Sequence, residues 1–146
     1  MTTQEWLERG WELNKEIEEL RATKINIWER CTRVTPTYST EPGGGSPNPH
    51  KNDALVAFGE AIDKRCAELA KVSGEIFNAI CRLPLDVENS KYRRLLQYRY
   101  LNFCTFEEIA VMMHYSWRHV HRIHAEALRA MAMVINKKTE ENENDK

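Results

Sequence analysis

No stretch of this sequence approaches the roughly 18 uninterrupted apolar residues that a membrane-spanning helix needs, and its start, Met1-Thr-Thr-Gln-Glu-Trp-Leu-Glu-Arg9, is acidic where a secretory signal requires a cationic, then apolar, segment. Secretion and membrane insertion are therefore not expected. The four cysteines, Cys31, Cys66, Cys81 and Cys104, include no Cys-x-x-Cys pair, the spacing that clamps zinc or forms a redox couple. Each falls inside a helical pattern and reads as a reduced, buried thiol of a cytoplasmic protein. His114, His119, His121 and His124 cluster near Cys104, but no His-x-x-x-His or paired thiols complete a tetrahedral set, so no metal and no other cofactor is expected. Gly43-Gly44-Gly45 runs into Ser-Pro-Asn-Pro instead of Gly-Lys-Ser/Thr, which excludes a phosphate-binding loop. No nucleophile stands with a base and an orienting acid, and one of the paired carboxylates Glu107-Glu108 is accounted for by a helix cap. Catalysis is therefore not expected.

A large charge of one sign is also missing: 21 basic residues face 22 acidic ones, for a formal net charge of -1. Their placement is uneven. Residues 1–83 hold 11 basic and 13 acidic groups, residues 84–138 hold 9 and 5, and the last eight hold 1 and 4. The second of these segments is thus cationic before its histidines are counted, which suits a surface that displaces counterions from phosphates. With 42% hydrophobic and 29% charged residues in 146, the chain belongs to the globular range and has room for one domain or two small helical units.

Hydrophobic spacing predicts an all-α protein. From Thr3 to about Val34, Trp6, Leu13, Ile17, Leu20, Ile27, Cys31 and Val34 recur at alternating three and four, the seam of a helix that needs a partner. Residues 35–50, with Pro36, Pro42, three glycines, Pro47 and Pro49, read as a flexible linker. From Asp53 to Leu83 a second stripe follows: Leu55, Phe58, Ile62, Cys66, Leu69, Val72, Ile76, Ile80 and Leu83. Two helices of similar length across a flexible linker predict an antiparallel hairpin over residues 1–83. Trp11, Trp28 and Phe77 lie off both stripes and suggest a surface for homodimerisation. Pro84 then opens a region, 84–136, of three shorter helices: about Glu88 to Leu101, Phe106 to Met113, and Trp117 to about Asn136. Thr105 with Glu108 forms a capping box, His114-Tyr115 the turn, and Ser116 the last cap. Residues 137–146 read as a disordered acidic tail.

The last two short helices, with Ile109, Ala110 and Met113 on one and Val120, Ile123 or His124, Ala127 and Leu128 on the other, have the pattern of a helix-turn-helix. Small Ala110 permits a close, steep crossing. With that stripe buried, Trp117, Arg118, His121, Arg122 and Ala125 point outward. Arg118 and Arg122, one turn apart, suit a major groove about 12 Å wide, where a guanidinium forks onto guanine O6 and N7. His121 would donate to a base edge or a phosphate, Ala125 would leave room for a thymine methyl, and Ser116 with the helix start would hold a phosphate. Trp117 either packs on Tyr115 or touches the DNA backbone. Arg93, Arg94 and Arg99 are candidates for flanking phosphates, and Thr105 completes the set of DNA-facing candidates. His119 reads as surface or DNA-facing, and His124 as a packed core residue.

Tyr92-Arg-Arg-Leu-Leu-Gln-Tyr-Arg-Tyr-Leu101, Thr105-Phe-Glu-Glu-Ile-Ala110, Tyr115-Ser-Trp-Arg-His-Val120 and Ala127-Leu128 together resemble the fourth region of sigma factors, which grips the upstream promoter hexamer. The nearer likeness is to phage and prophage regulators of the ArpU and RinA type. The resemblance covers the C-terminal third, and the hairpin has no counterpart of the sigma region that binds core polymerase and melts DNA. It implies a transcriptional regulator of phage or prophage origin, acting on double-stranded DNA in the cytoplasm of a bacterial host, with RNA polymerase as a further partner. Two other functions fit the residues. One is a helical interaction protein that binds polymerase or another phage protein through the hairpin; the other is a packaging protein like a small terminase subunit.

Overall fold

The structure, a computed structural model, describes residues 1–32 and 52–144, with side chains as far as Lys137. The expected linker at 35–50, with Val34 before it, lies outside the described residues. Within them are five helices and no strand: α1 (Thr3–Thr32), α2 (Asp53–Cys81), α3 (Val87–Tyr100), α4 (Phe106–Met113) and α5 (Trp117–Asn144). None of these is long and apolar enough to cross a membrane.

Local chemistry sets the helix starts. At α1 the Thr2 hydroxyl accepts from Glu5 N while the Glu5 carboxylate accepts from Thr2 N, a reciprocal cap. At α3 the Asp86 carboxylate accepts from both the backbone and the side-chain nitrogen of Asn89, each at 2.7 Å, and these bonds hold its pKa below the ordinary aspartate value. At α4 Thr105 and Glu108 form the complete capping box. The end of α5 departs from expectation, because the helix runs to Asn144 through most of the segment that composition reads as a disordered tail. No glycine or proline interrupts it, and Met131 is buried with Ala130, Val134 and Ile135 packed at the edge of the core.

The chain divides into two compact units, Leu13–Glu68 and Met1–Glu12 with Leu69–Lys146. The division therefore passes through α1 and α2, not between Leu83 and Pro84 where composition changes. Shared burial is the reason. Leu7 of α1 and Ile76, Ala79 and Ile80 of α2 enter one core with Leu83, Leu96 and Tyr100, Ala127 and Met131. Trp11, off the periodic seam, is no spare surface residue. Its indole N–H donates to the Arg99 carbonyl at 2.9 Å, and its ring meets Phe103 edge-on at 5.6 Å. Gly10 lies beside this contact, and a Cβ there would sit 3.5 Å from the Phe103 ring and 3.7 Å from the Tyr100 carbonyl, which is ordinary contact, so the approach does not require a glycine.

In the Leu13–Glu68 unit the two helical segments run antiparallel, with Glu16 paired to Arg65 at 3.0 Å and Lys24 against Gly59. Arg65 also bonds Glu68 at 2.8 Å. Ile17 and Ile62 are its buried apolar residues, while Ile25, Trp28 and Val56 are exposed.

Candidate nucleic-acid interface

The helix-turn-helix is held by a second core in which Leu95 of α3, Ile109 of α4 and Val120 and Ile123 of α5 are buried together, with Ala110, Met113 and Tyr115 packed around them. The chain turns from α4 into α5 through His114, whose φ of 55° and ψ of 40° are left-handed. Its N–H bonds back toward Ala110 and Val111, and Tyr115 N donates to the Ala110 carbonyl at 3.0 Å, so a complete C-terminal cap accompanies a conformation that non-glycine residues rarely adopt. Ser116 caps α5, its hydroxyl accepting from His119 N at 3.3 Å.

The helical period then sorts the side chains of α5. Val120, Ile123, His124 and Ala127 face the interior, and Arg118, Arg122 and Ala125 are exposed. Arg118 and Arg122 leave the same side one turn apart. The Arg122 guanidinium lies 2.9 Å from His119 Nδ1, and the His119 ring stands perpendicular to Tyr115, 88° between planes and 4.6 Å between centroids. Trp117 remains 55% exposed, and its ring contact is not Tyr115 but His121, at 4.1 Å.

Three candidates are engaged within the fold. His121 is half-buried between Trp117 and Phe106, 4.3 Å from the latter, and its Nε2 is enclosed without a hydrogen-bond partner. It packs α5 on α4 instead of projecting toward a groove. Arg99 lies over the Trp11 ring at 4.5 Å and the Phe106 ring at 4.4 Å and donates to the Cys104 carbonyl. Its charge joins the N-terminus of α1 to the entry of α4 and is not presented to flanking phosphates. Thr105 spends its hydroxyl and N–H on Glu108. The remaining pair differ from each other. Arg94 is exposed, whereas Arg93 is half-buried with its Nε shielded from solvent and without an acceptor. Both line an open groove of about 660 Å³ with Ser90, Lys91, Met113 and Tyr115.

Burial perturbs two groups beneath this surface. His124 and Tyr100 share a hydrogen bond of 2.8 Å. Desolvation first, then the nearby Arg99 and His121 charges, lower the His124 pKa to about 4, so the ring is neutral at physiological pH. Desolvation pushes Tyr100 upward. Glu107 is held below the usual glutamate value, chiefly by its own backbone N–H at the start of α4 and then by Thr105, Trp117 and His121. Among the described residues no group of His, Cys, Asp and Glu is placed to hold a metal ion.

Spacing and capping anticipated the Ser116 cap and the exposure of Arg118 and Arg122, but the partners of Arg99 and His121 had no signal at short range. The one hint was Trp11, an aromatic residue off its helix's seam. Residues 89–132 match the family model of Sigma-70, region 4, a span taking in all of α3 but Val87 and Glu88, all of α4, and α5 as far as Ala132. That segment is similar to a DNA-binding helix-turn-helix domain, a fold without catalytic function. No curated protein and no solved structure matches the chain.

Proposed function

We propose that the protein is a sequence-specific regulator of transcription that binds double-stranded DNA with the first turns of α5 in the major groove. The observation that carries this reading is the pairing of exposed Arg118 and Arg122 on the face opposite the buried Val120, Ile123 and Ala127, within a segment similar to sigma-70 region 4. Arg118 and Arg122 read base edges, Ala125 admits a base methyl, and Ser116 at the helix start holds a phosphate. Trp117 lies along the sugar-phosphate backbone. Exposed Arg94, with Arg93 on the same groove, serves flanking phosphates. Phage or prophage origin, action in the bacterial cytoplasm, contact with RNA polymerase and pairing of two copies through the Leu13–Glu68 unit belong to the same reading. They follow from the resemblance to ArpU- and RinA-type regulators and from the exposed apolar residues of that unit.

The test is selection of bound sequences from random duplexes with the full chain, repeated at two salt concentrations. A regulator enriches a defined motif, and Arg118→Ala or Arg122→Ala each weakens binding to it by about 1–3 kcal/mol, roughly 5- to 150-fold, without unfolding the protein. A purely salt-dependent affinity with no enriched motif refutes sequence-specific reading.

Exposed Ile25, Trp28 and Val56 favour a second reading, an interaction protein whose working surface is the Leu13–Glu68 unit. In that case Trp28→Glu abolishes function while Arg118→Ala and Arg122→Ala leave it intact.

A further inference from the structure

We infer that His119 is a positioning residue for sequence readout: it fixes the Arg122 guanidinium through an acceptor that exists only while its ring is neutral, so discrimination at the base pair under Arg122 depends on pH. The inference rests on the proposed DNA-reading role of Arg122 and adds to it a residue and a condition.

The chemistry of the contact restricts which form of the ring can make it. An arginine has donors only, so the 2.9 Å contact between Arg122 and His119 Nδ1 requires that nitrogen to be an unprotonated acceptor, with the proton on Nε2. The bond takes one hydrogen of one terminal nitrogen of the guanidinium. One of the two forked donor edges stays whole, and a fork is what guanine O6 and N7 require. An exposed arginine otherwise samples many rotamers, and ordering a side chain of that length on binding costs roughly 0.5–1.5 kcal/mol, about 2- to 10-fold in affinity. A neighbour that orders it beforehand removes part of that loss.

His119 is suited to this because it is itself restrained. Its backbone N–H donates to the Ser116 hydroxyl, and its half-buried ring is held edge-on by Tyr115 from the α4–α5 turn. Among the described residues it contacts Tyr115 and Arg122, one titratable and one charged. Neighbouring His121 turns the other way, between Phe106 of α4 and Trp117. Protonation of His119 converts the acceptor to a donor, places a second cation beside Arg122 and releases the arginine. The extra charge strengthens attraction to any phosphate backbone. Selectivity falls while non-specific affinity holds or rises.

Binding selections with the full-length wild type, His119→Ala and His119→Gln at about pH 8 and about pH 6 test this in a window above the His124 pKa of about 4, and Arg122→Ala identifies the base pair concerned. At the higher pH His119→Ala should lose roughly 2- to 10-fold of the preference at that base pair, with the rest of the motif retained. His119→Gln, whose amide oxygen supplies a permanent acceptor, should keep most of the preference at both pH values, while the wild type loses it at the lower one. An unchanged preference in His119→Ala, or a wild type as selective at the lower pH as at the higher, overturns the positioning role and leaves the regulator reading standing. Failure of the wild type to enrich any sequence at either pH overturns both.

Discussion

Acidification should loosen the helix-turn-helix through one buried ring. His124 of α5 is 9% exposed, bonded to Tyr100 of α3, and its pKa is lowered from 6.5 to about 4 in the fold. Unfolding returns it to water, where it binds a proton below pH 6.5. Between these two values the unfolded chain holds a proton that the folded chain does not, so stability falls as pH falls. The contribution is complete above pH 6.5 and is withdrawn down to pH 4. At about 1.4 kcal/mol per pH unit, moving from about pH 7.5 to about pH 4.5 should remove on the order of 2–3 kcal/mol. That is a large share of the ~5–15 kcal/mol typical of a folded domain. The carboxylates of Asp86 and Glu107, with depressed pKa values, withdraw their contributions below the ordinary values of 3.8 and 4.5 and so act in a lower window.

Urea unfolding followed by tryptophan fluorescence in a Trp28→Phe background would report the unit that contains Trp6, Trp11 and Trp117. For a urea dependence of about 1–3 kcal/mol/M, the midpoint should drop by roughly 1–2 M across this pH interval. His124→Gln retains a partner for the Tyr100 hydroxyl and no longer titrates. Its profile should therefore be flat between pH 6.5 and about 4.5. Parallel slopes for wild type and His124→Gln would refute the assignment of acid sensitivity to this ring.

Three further outcomes follow from packing. Thr105→Ala should lower stability by about 1 kcal/mol through loss of the α4 cap and leave DNA affinity of the folded protein unchanged, as measured by thermal unfolding and fluorescence anisotropy. Gly10→Ala should stabilise by roughly 0.5–1 kcal/mol, because a methyl meets Phe103 and the Tyr100 carbonyl at ordinary contact distance and alanine favours a helix; Gly10→Leu should destabilise in the same melting experiment. Arg99→Ala should remove two cation–π contacts, costing about 1–2 kcal/mol, while the salt dependence of DNA binding keeps its slope because this charge does not meet phosphate.

Much of this molecule was legible along the chain because its determinants are local. A threonine with a glutamate three residues on fixes a helix start at Thr105 whatever surrounds it, and the 3.6-residue period decides that Val120 and Ala127 turn inward while Arg118 and Arg122 turn outward. His124 was readable as a core residue by the same rule. Tertiary structure decided which side chains had spare bonding capacity. Arg99 and Arg94 look alike in sequence, yet one is clamped between Trp11 and Phe106 and the other is exposed. His121 shares the outer face with Arg118 by periodicity, but the rings of Phe106 and Trp117 enclose it. The division between units also passes through α1 and α2, because Leu7 and Ile80 are buried with residues of α3 and α5 far along the chain. Period and capping operate over a few residues, whereas ring contacts and burial join Trp11 to Phe103 and Leu7 to Met131, and no pattern within a single helix encodes them.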